Sequence, residues 1–143
     1  MDEEKKAQVE ELLRRPGLLA HIGSVNPKTN QPHITLVWYL WDGEAVWFSG
    51  FRSTRKFREL IANPKCAVLV EPANLKESKL QAVLLEGTAE IITEPREVVE
   101  EMSQRIYVRY LGEEGAQAAE PQSWKRDPEN MVVRLKPAKV YAW

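Results

Sequence analysis

The sequence predicts a mainly β protein, in which six or seven antiparallel strands form a small barrel with helices at its margins. Short runs rich in β-branched and aromatic residues recur between turn signals of Pro, Gly and Asn. The connections between these runs are too short to hold the crossover helices of a parallel sheet. A chain of 143 residues is long enough for one hydrophobic core, so we expect a single domain over residues 1–143.

Charge and hydropathy exclude several classes of function. Twenty Lys and Arg against 21 Asp and Glu leave a net charge of -1, which gives no basic excess for binding along a nucleic-acid backbone. No apolar run reaches the roughly 18 residues of a membrane span, and the charged N-terminus lacks the apolar segment of a signal peptide. We therefore expect a cytoplasmic protein without nucleic-acid or membrane partners. Cys66 lies in an apolar stretch and is expected to be a buried, unreactive thiol.

The first half of the chain predicts one helix followed by three strands. The N-terminal helix, within residues 1–15, carries one apolar edge, and Pro16-Gly17 ends it. Strands are predicted over residues 18–25, 33–41 and 44–50. Asp42-Gly43 separates the last two strands and favours a two-residue type I′ turn, so these strands should pair as a hairpin.

The second half predicts a basic loop, a short helix ended by Pro64, further strands and one long helix. The predicted elements are a strand over 65–72, a long strand over 79–94 with a bulge at Gly87, a helix over 95–111 with Pro95 in its first turn, a polar loop over 112–128, and one or two strands over 129–143.

The predicted strand over 33–41 is apolar on both faces. One face carries Ile34, Leu36, Trp38 and Leu40, and the other carries Thr35, Val37, Tyr39 and Trp41. Because a barrel wall needs only its inner face to be apolar, the outer face must be covered. We expect a second copy of the chain to cover it, in a homodimer built on this Trp-rich hairpin. The alternative is that the long helix over 95–111 lies on this face.

A cluster of basic residues lies at the predicted start of the short helix. It contains four cations within seven positions: Arg52, Arg55, Lys56 and Arg58. Cations are unfavourable at a helix N-terminus, where free N–H groups and helix dipole attract anions instead. A strand end, a polar loop with Ser53 or Thr54 as N-cap, and these cations together are typical of a phosphate site. The alternative is a solvated basic loop that Glu59 partly neutralises.

Several segments together resemble the pyridoxamine 5′-phosphate oxidase-related, FMN-binding split-barrel superfamily. These segments are LAHIGSV, PHITLVWYLWDGEAVWFSG, STRKFREL, NPKCAVLVE and LLEGTAEI, in that order, over about two thirds of the chain. The final VVRLKPAKVYAW also resembles the closing strands of short members. The resemblance implies a split β-barrel that forms a homodimer with two cofactor sites at the subunit interface.

The resemblance also implies which residues contact the cofactor. Its phosphate-binding Arg-Lys pair falls on Arg55 and Lys56, and the other implied phosphate contacts are Ser49, Arg52 and either Ser53 or Thr54. The strand that lines the isoalloxazine ring falls on Val37, Trp38 and Tyr39. Gln81 lies one residue from the position of a flavin-contacting glutamine. Trp124 either anchors its loop to the barrel or reaches over the cofactor ring.

The resemblance implies an FMN-dependent oxidoreductase that acts on a small redox substrate, with NAD(P)H as a possible donor. KPAKVYAW has no counterpart of the C-terminal arginine motif that holds the oxidase substrate, so we do not expect a true pyridoxamine 5′-phosphate oxidase. The alternatives are a reductase that uses the deazaflavin coenzyme and a non-catalytic module that binds flavin or haem. His21 and His33 have no third ligand nearby in the sequence, and we expect no metal site.

Overall fold

The computed structural model describes residues 1–143 as nine strands, four α-helices and one short 3₁₀ turn. The strands are β1 (Ala20–Val25), β2 (Pro32–Val37), β3 (Leu40–Trp41), β4 (Val46–Phe51), β5 (Lys65–Val70), β6 (Val83–Thr88), β7 (Glu90–Ile92), β8 (Asn130–Leu135) and β9 (Lys139–Ala142). The helices are α1 (Glu3–Arg14), α2 (Arg55–Ala62), α3 (Arg96–Ala116) and α4 (Ala119–Arg126). The 3₁₀ turn spans Leu75–Glu77.

The strands form two antiparallel sheets, and we call them the first and second sheet. The first has the order β2-β1-β5-β6-β9 and the second the order β3-β4-β8-β7. The predicted antiparallel pairing is therefore confirmed, but the fold is a mixed, sheet-rich one and not mainly β, because the four helices hold about as many residues as the strands. The count of six or seven strands in one barrel is wrong, because two predicted strands each divide and contribute to both sheets. The strand predicted over 79–94 changes sheet at Ala89, whose N–H donates to Pro64 O, rather than bulging at Gly87.

The strand predicted over 33–41 also divides. Its first part is β2 at the edge of the first sheet, and its last two residues are β3 in the second sheet. Between them the Tyr39 N–H donates to the hydroxyl of Tyr110 on α3 at 3.1 Å. The predicted type I′ turn is wrong, because Gly43 alone has a positive φ in this turn, whereas a type I′ turn needs two. The Asp42 carboxylate instead accepts hydrogen bonds from the two N–H groups that follow Gly43.

The C-terminal third holds more helix than the sequence predicts. The helix predicted over 95–111 is confirmed as α3, which continues to Ala116 through a break at Gly112, where φ is 78°. The polar loop predicted over 112–128 is wrong, because it contains α4. The buried face of α4 carries Pro121 and Gln122, and the Gln122 side chain donates to Ala116 O at 2.8 Å. Because a proline and a hydrogen-bonded amide form the buried side of α4, its sequence lacks the apolar periodicity that predicts a helix.

The main core lies between the inner faces of the two sheets and is closed by α1 and α2. A second cluster of buried side chains joins α3 to the outer face of the second sheet and includes Trp47, Val99, Ile106 and Tyr107. Cys66 belongs to the main core, and burial raises its pKa to about 12, which agrees with the predicted unreactive thiol. No helix of the structure has the length and apolarity to cross a bilayer.

Helix α3 covers only part of the apolar face that β2 and β3 share. Trp38 and Leu40 pack against the α3 cluster, as the alternative in the sequence analysis expects. Ile34 and Leu36, on the same face of β2, are 70% and 57% exposed. This half of the face has no cover within the chain.

Candidate functional site

A cleft of about 370 Å³ opens where the end of β2 meets β4. It lies between the edge of the first sheet and the second sheet, and three helices complete its walls. Leu36 and Val37 of β2 and Trp38, which follows β2, line one side, and Ser49, Gly50 and Phe51 line it from β4. The remaining lining residues come from the segment before β1, from each of α2, α3 and α4, and from β8: Leu19, Lys56, Tyr107, Trp124 and Asn130.

Gly50 allows α2 to pack against the floor of this cleft. A Cβ at this position would collide with the Phe57 ring of α2. Phe57 is fully buried and also packs against Phe48 of β4, with ring centroids 6.0 Å apart. The close approach fixes α2 against β4 and so places the first turn of α2, with Lys56, at the cleft.

One wall of the cleft is built from aromatic rings. Trp38 stacks on Tyr110 with ring centroids 5.1 Å apart and an interplanar angle of 7°. Tyr107 makes edge contacts with Trp38 at 6.5 Å and with Trp124 at 5.8 Å. Trp124 therefore both holds α4 against α3 and lines the cleft. Packed aromatic rings are an apolar, preorganised surface that suits a flat, conjugated ligand.

Lys56 is the only lining residue that carries a positive charge. Its side chain is half-buried, and burial lowers the pKa of its ammonium group. No carboxylate lies within ion-pair distance of the Lys56 ammonium group. Elsewhere in the structure, eight contacts within this distance join a Lys, Arg or His side chain to a Glu carboxylate. An anion in the cleft would compensate this partly desolvated charge.

The free edge of β2 presents unpaired backbone groups next to the cleft. Asn26 N donates to Gln31 O, which makes these two residues a hydrogen-bonded pair at the end of the β1–β2 ladder. Because pairs alternate along an antiparallel ladder, the N–H and C=O of Ile34 and Leu36 turn away from β1. Since β2 is an edge strand, no other strand pairs with these groups. Leu36 thus offers one donor and one acceptor beside the cleft.

A group of polar side chains marks the end of the cleft next to α3. Asn130 is buried, and its side-chain amide donates to Ser103 Oγ at 3.0 Å and to Lys125 O at 3.2 Å. Burial raises the pKa of the Tyr107 phenol, while the neighbouring hydroxyls of Ser103 and Ser49 act in the opposite direction. The phenol is therefore neutral at physiological pH and is a hydrogen-bond donor.

Of the eleven residues expected to contact a cofactor, five line the cleft: Val37, Trp38, Ser49, Lys56 and Trp124. Tyr39 does not line the cleft. Its side chain is fully buried elsewhere, and its hydroxyl donates to Leu13 O. Arg52, Ser53 and Gln81 are exposed outside the cleft. Thr54 occupies the N-cap position of α2, but its hydroxyl donates to Phe51 O instead of capping the helix.

Arg55 points away from the cleft and pairs with Glu59. Its Nε donates to Glu59 Oε2 at 3.2 Å, while Ser24 Oγ and His33 Nδ1 contact Glu59 Oε1 at 2.9 and 2.8 Å. Burial would raise the pKa of the Glu59 carboxyl, but the hydrogen bonds from Ser24, Arg55 and His33 hold it below its usual value. Glu59 therefore neutralises part of the basic cluster, as the solvated-loop alternative expects.

Tyr107 and Asn130 line the cleft but were not predicted from the sequence. Tyr107 lies on the buried face of α3, where it is indistinguishable from a core residue by spacing alone, and Asn130 opens β8 far along the chain. The two histidines have separate partners, since His21 Nε2 lies 3.1 Å from Glu71. No group of three or more His, Cys, Asp or Glu side chains is arranged so that it could hold a metal ion.

The protein thus combines two antiparallel sheets with a cleft between them, an aromatic wall and one cation without a carboxylate partner. The family model for pyridoxamine 5′-phosphate oxidase matches residues 6–143. The chain belongs to this family. None of the curated proteins matches the sequence.

The names of the solved structures that are similar to this chain do not indicate one common function. An F420 reductase is 26% identical, with a TM-score of 0.72, over 92% of this chain and 94% of that chain. A conserved hypothetical protein of Mycobacterium tuberculosis is 23% identical, with a TM-score of 0.77, over 100% of this chain and 84% of that chain. A haem storage protein of Vibrio cholerae is 15% identical, with a TM-score of 0.69, over 98% of this chain and 92% of that chain.

Proposed function

We propose that this protein is an FMN-dependent oxidoreductase that holds the cofactor in the cleft beside Trp38 and Lys56. The observation that carries the proposal is the unpaired, partly buried ammonium group of Lys56 next to an aromatic wall. A flavin nucleotide supplies the two matching parts, a flat conjugated ring and a phosphate. Family membership supports the same class of ligand.

The residues of the cleft fit such a cofactor in three ways. The Lys56 ammonium group would pair with the phosphate, and the free N–H groups at the start of α2 lie nearby. Backbone N–H and C=O groups at the β2 edge would bind the polar rim of the ring. Trp38 and Trp124 would exclude water from the ring faces. The flavin supplies hydride transfer when bound, so the chain need not contribute an acid or a base to that step.

The deazaflavin coenzyme F420 is the second candidate. It is favoured by the F420 reductase, which is 26% identical over nearly the whole of both chains. Lys28, Arg55 and Arg58 line a groove on the opposite side of α2 from the cleft. These cations would suit additional negative charge on a cofactor longer than FMN.

We also propose that the protein is a homodimer and that a second copy covers the outer face of the first sheet. Leu19 and Leu36 belong both to this exposed apolar face and to the lining of the cleft. A subunit placed on this face would therefore bury exposed apolar side chains and close the cleft. Such burial would also remove the β2 edge from solvent.

Titration of the cofactor-free protein with FMN and with F420 tests the proposal. We expect one of them to quench the tryptophan fluorescence at one site per chain, because Trp38 and Trp124 line the cleft. The loaded protein should then be reduced and reoxidised repeatedly by NAD(P)H and an acceptor. Binding without repeated turnover would contradict an enzyme and indicate a binding module. Failure to bind either cofactor would contradict the cleft assignment.

A further inference from the structure

A row of five side chains crosses the outer face of the first sheet, and we call this row the ridge. The strand register places His21 of β1 opposite both Leu36 of β2 and Leu69 of β5, and the ridge continues through Leu84 of β6 to Tyr141 of β9. Leu36 and Tyr141 are 57% and 44% exposed. The other four members are apolar or aromatic, so His21 is the member of the ridge that can become positively charged.

A depression lies beside the ridge on the same face. The next row of the register has Gly23 and Ala67 at its centre, and these small residues border a cavity of about 480 Å³. Glu86 and Lys139, which are register partners at the end of this row, add one charge of each sign. A ridge and a parallel depression on one face suit a second copy of the chain, because a two-fold axis places each ridge in the depression of the other copy.

His21 has little nearby to compensate a positive charge in such an interface. Its Nε2 lies 3.1 Å from Glu71 Oε1, but the Glu71 side chain is 59% exposed, and a solvent-exposed ion pair contributes little. Strand β2 brings no charged side chain to this face. The remaining charged side chains of the face lie further from His21, at the start of β5 and on β6 and β9: Lys65, Glu86 and Lys139.

We propose that His21 makes the homodimer sensitive to pH, so that mild acid separates the two copies and uncovers the cleft. This inference rests on the homodimer proposed above. A histidine ordinarily becomes charged between pH 8 and pH 5, and a charged imidazolium is costlier to bury between two leucines than the neutral ring. A group that binds its proton more weakly in the dimer than in the monomer destabilises the dimer as the pH falls.

The ridge connects this titration to the cleft. Leu36, which lies opposite His21 on the β1–β2 ladder, also lines the cleft. Separation of the two copies therefore exposes one wall of the cleft to water, and the affinity for a bound cofactor falls with it.

Sedimentation velocity of the full chain at pH 7.5 and pH 5.5 tests the proposal. We expect the dissociation constant of the wild-type dimer to rise by about tenfold to a hundredfold at pH 5.5, because each dimer contains two copies of His21. Asp and Glu ordinarily stay ionised over this range, so the two histidines of the chain are the side chains that change charge.

The variants assign the response to one histidine. His21→Gln cannot become charged and should give the same dissociation constant at both pH values. His33→Gln is the matched control and should keep the wild-type response, because His33 contacts Glu59 within the chain and is not part of the ridge. His21→Lys carries a permanent charge and should be monomeric at both pH values, and its urea unfolding curve shows that it is folded.

The outcomes separate this inference from the proposed function. A wild-type dimer with the same dissociation constant at both pH values would overturn the inference and leave the homodimer standing, and so would a pH response that persists in His21→Gln. A wild type that is monomeric at pH 7.5 would overturn the homodimer and the inference together. A pH-dependent dimer that binds neither FMN nor F420 would support the inference while the cofactor proposal fails.

Discussion

At the scale of single residues, Lys56 is the side chain on which the cofactor site depends most. It combines partial burial with the lack of a carboxylate partner, whereas Arg55 beside it is paired with Glu59. We expect Lys56→Ala to weaken binding of the cofactor by about tenfold to a hundredfold, which is the range for one hydrogen bond to a charged group. The measurement is the dissociation constant from fluorescence titration.

Arg58→Ala is the matched control for this change. Arg58 lies on the same helix, is exposed and does not line the cleft. Its removal should change the affinity for FMN, which the proposal places in the cleft, by less than about twofold, because an exposed charge outside the cleft is well screened. Equal losses in both variants would mean that the general charge of α2, and not the position of Lys56, attracts the ligand.

Glu59 carries a prediction about stability and pH. Its folded-state pKa lies below the unfolded value, so the ionised carboxylate stabilises the fold above the unfolded pKa of about 4.3. This stabilisation is lost as the pH falls through the folded-state pKa. We expect Glu59→Gln to lower the free energy of unfolding at pH 7 by about 1 kcal/mol, a low value because the Arg55 partner is half exposed.

The measurement is urea unfolding of wild type and Glu59→Gln at pH 7 and pH 3. The difference between the two proteins should shrink from pH 7 to pH 3, because the contribution of the ionised carboxylate decreases once the pH falls below the unfolded pKa of about 4.3. Glu77→Gln, an exposed acid without a hydrogen-bond partner, should show no difference at either pH. A difference for Glu59→Gln that stays constant with pH would contradict the account.

At the scale of elements, the contact between β4 and α2 sets the position of the cleft floor. We expect Gly50→Ala to destabilise the fold by about 1–3 kcal/mol, because a Cβ there overlaps the Phe57 ring. Thermal or urea unfolding measures this loss. The double variant Gly50→Ala/Phe57→Leu should recover part of the loss relative to the sum of the single variants. Simple additivity would mean that the two residues do not interact as described.

The periodic elements were predictable from the sequence, and those that change sheet were not. Helices α1, α2 and α3 have apolar faces and proline or glycine at an end, and they were predicted, although α3 continues to Ala116 beyond its predicted end at residue 111. Residues 33–41 and 79–94 were each predicted as one continuous strand, because β propensity depends on residue type and does not indicate where a strand passes from one sheet to the other. The breaks at Tyr39 and Ala89 depend on contacts with Tyr110 and Pro64, which are distant in sequence.

The same reason limits what could be predicted of the site. Lys56 was found because a basic helix start is a local signal, whereas Trp38 and Ser49 were found only through the family resemblance. Arg55 is adjacent to Lys56 in sequence, but the two side chains take different directions around the first turn of α2. Only the position of Glu59, one turn later, determines that Arg55 faces away from the cleft.

At the scale of the whole molecule, the exposed apolar face of β2, which carries Ile34 and Leu36, predicts self-association. We expect Leu36→Lys to shift the protein from dimer to monomer at micromolar concentration, because a buried charge without a partner is costly at an interface. Sedimentation velocity measures the change. Ile61→Lys replaces another exposed apolar residue, on α2, and should remain dimeric. A wild type that is monomeric at high concentration would contradict the homodimer.

The central claim is that the cleft holds a flavin-type cofactor, and the visible absorption spectrum of the purified protein tests it most directly. The spectrum is recorded before and after denaturation, so that any released cofactor is identified and counted per chain. We predict a flavin or deazaflavin spectrum, with about one cofactor per chain and a marked loss of colour in Lys56→Ala. A colourless wild-type protein that takes up neither FMN nor F420 would contradict the claim.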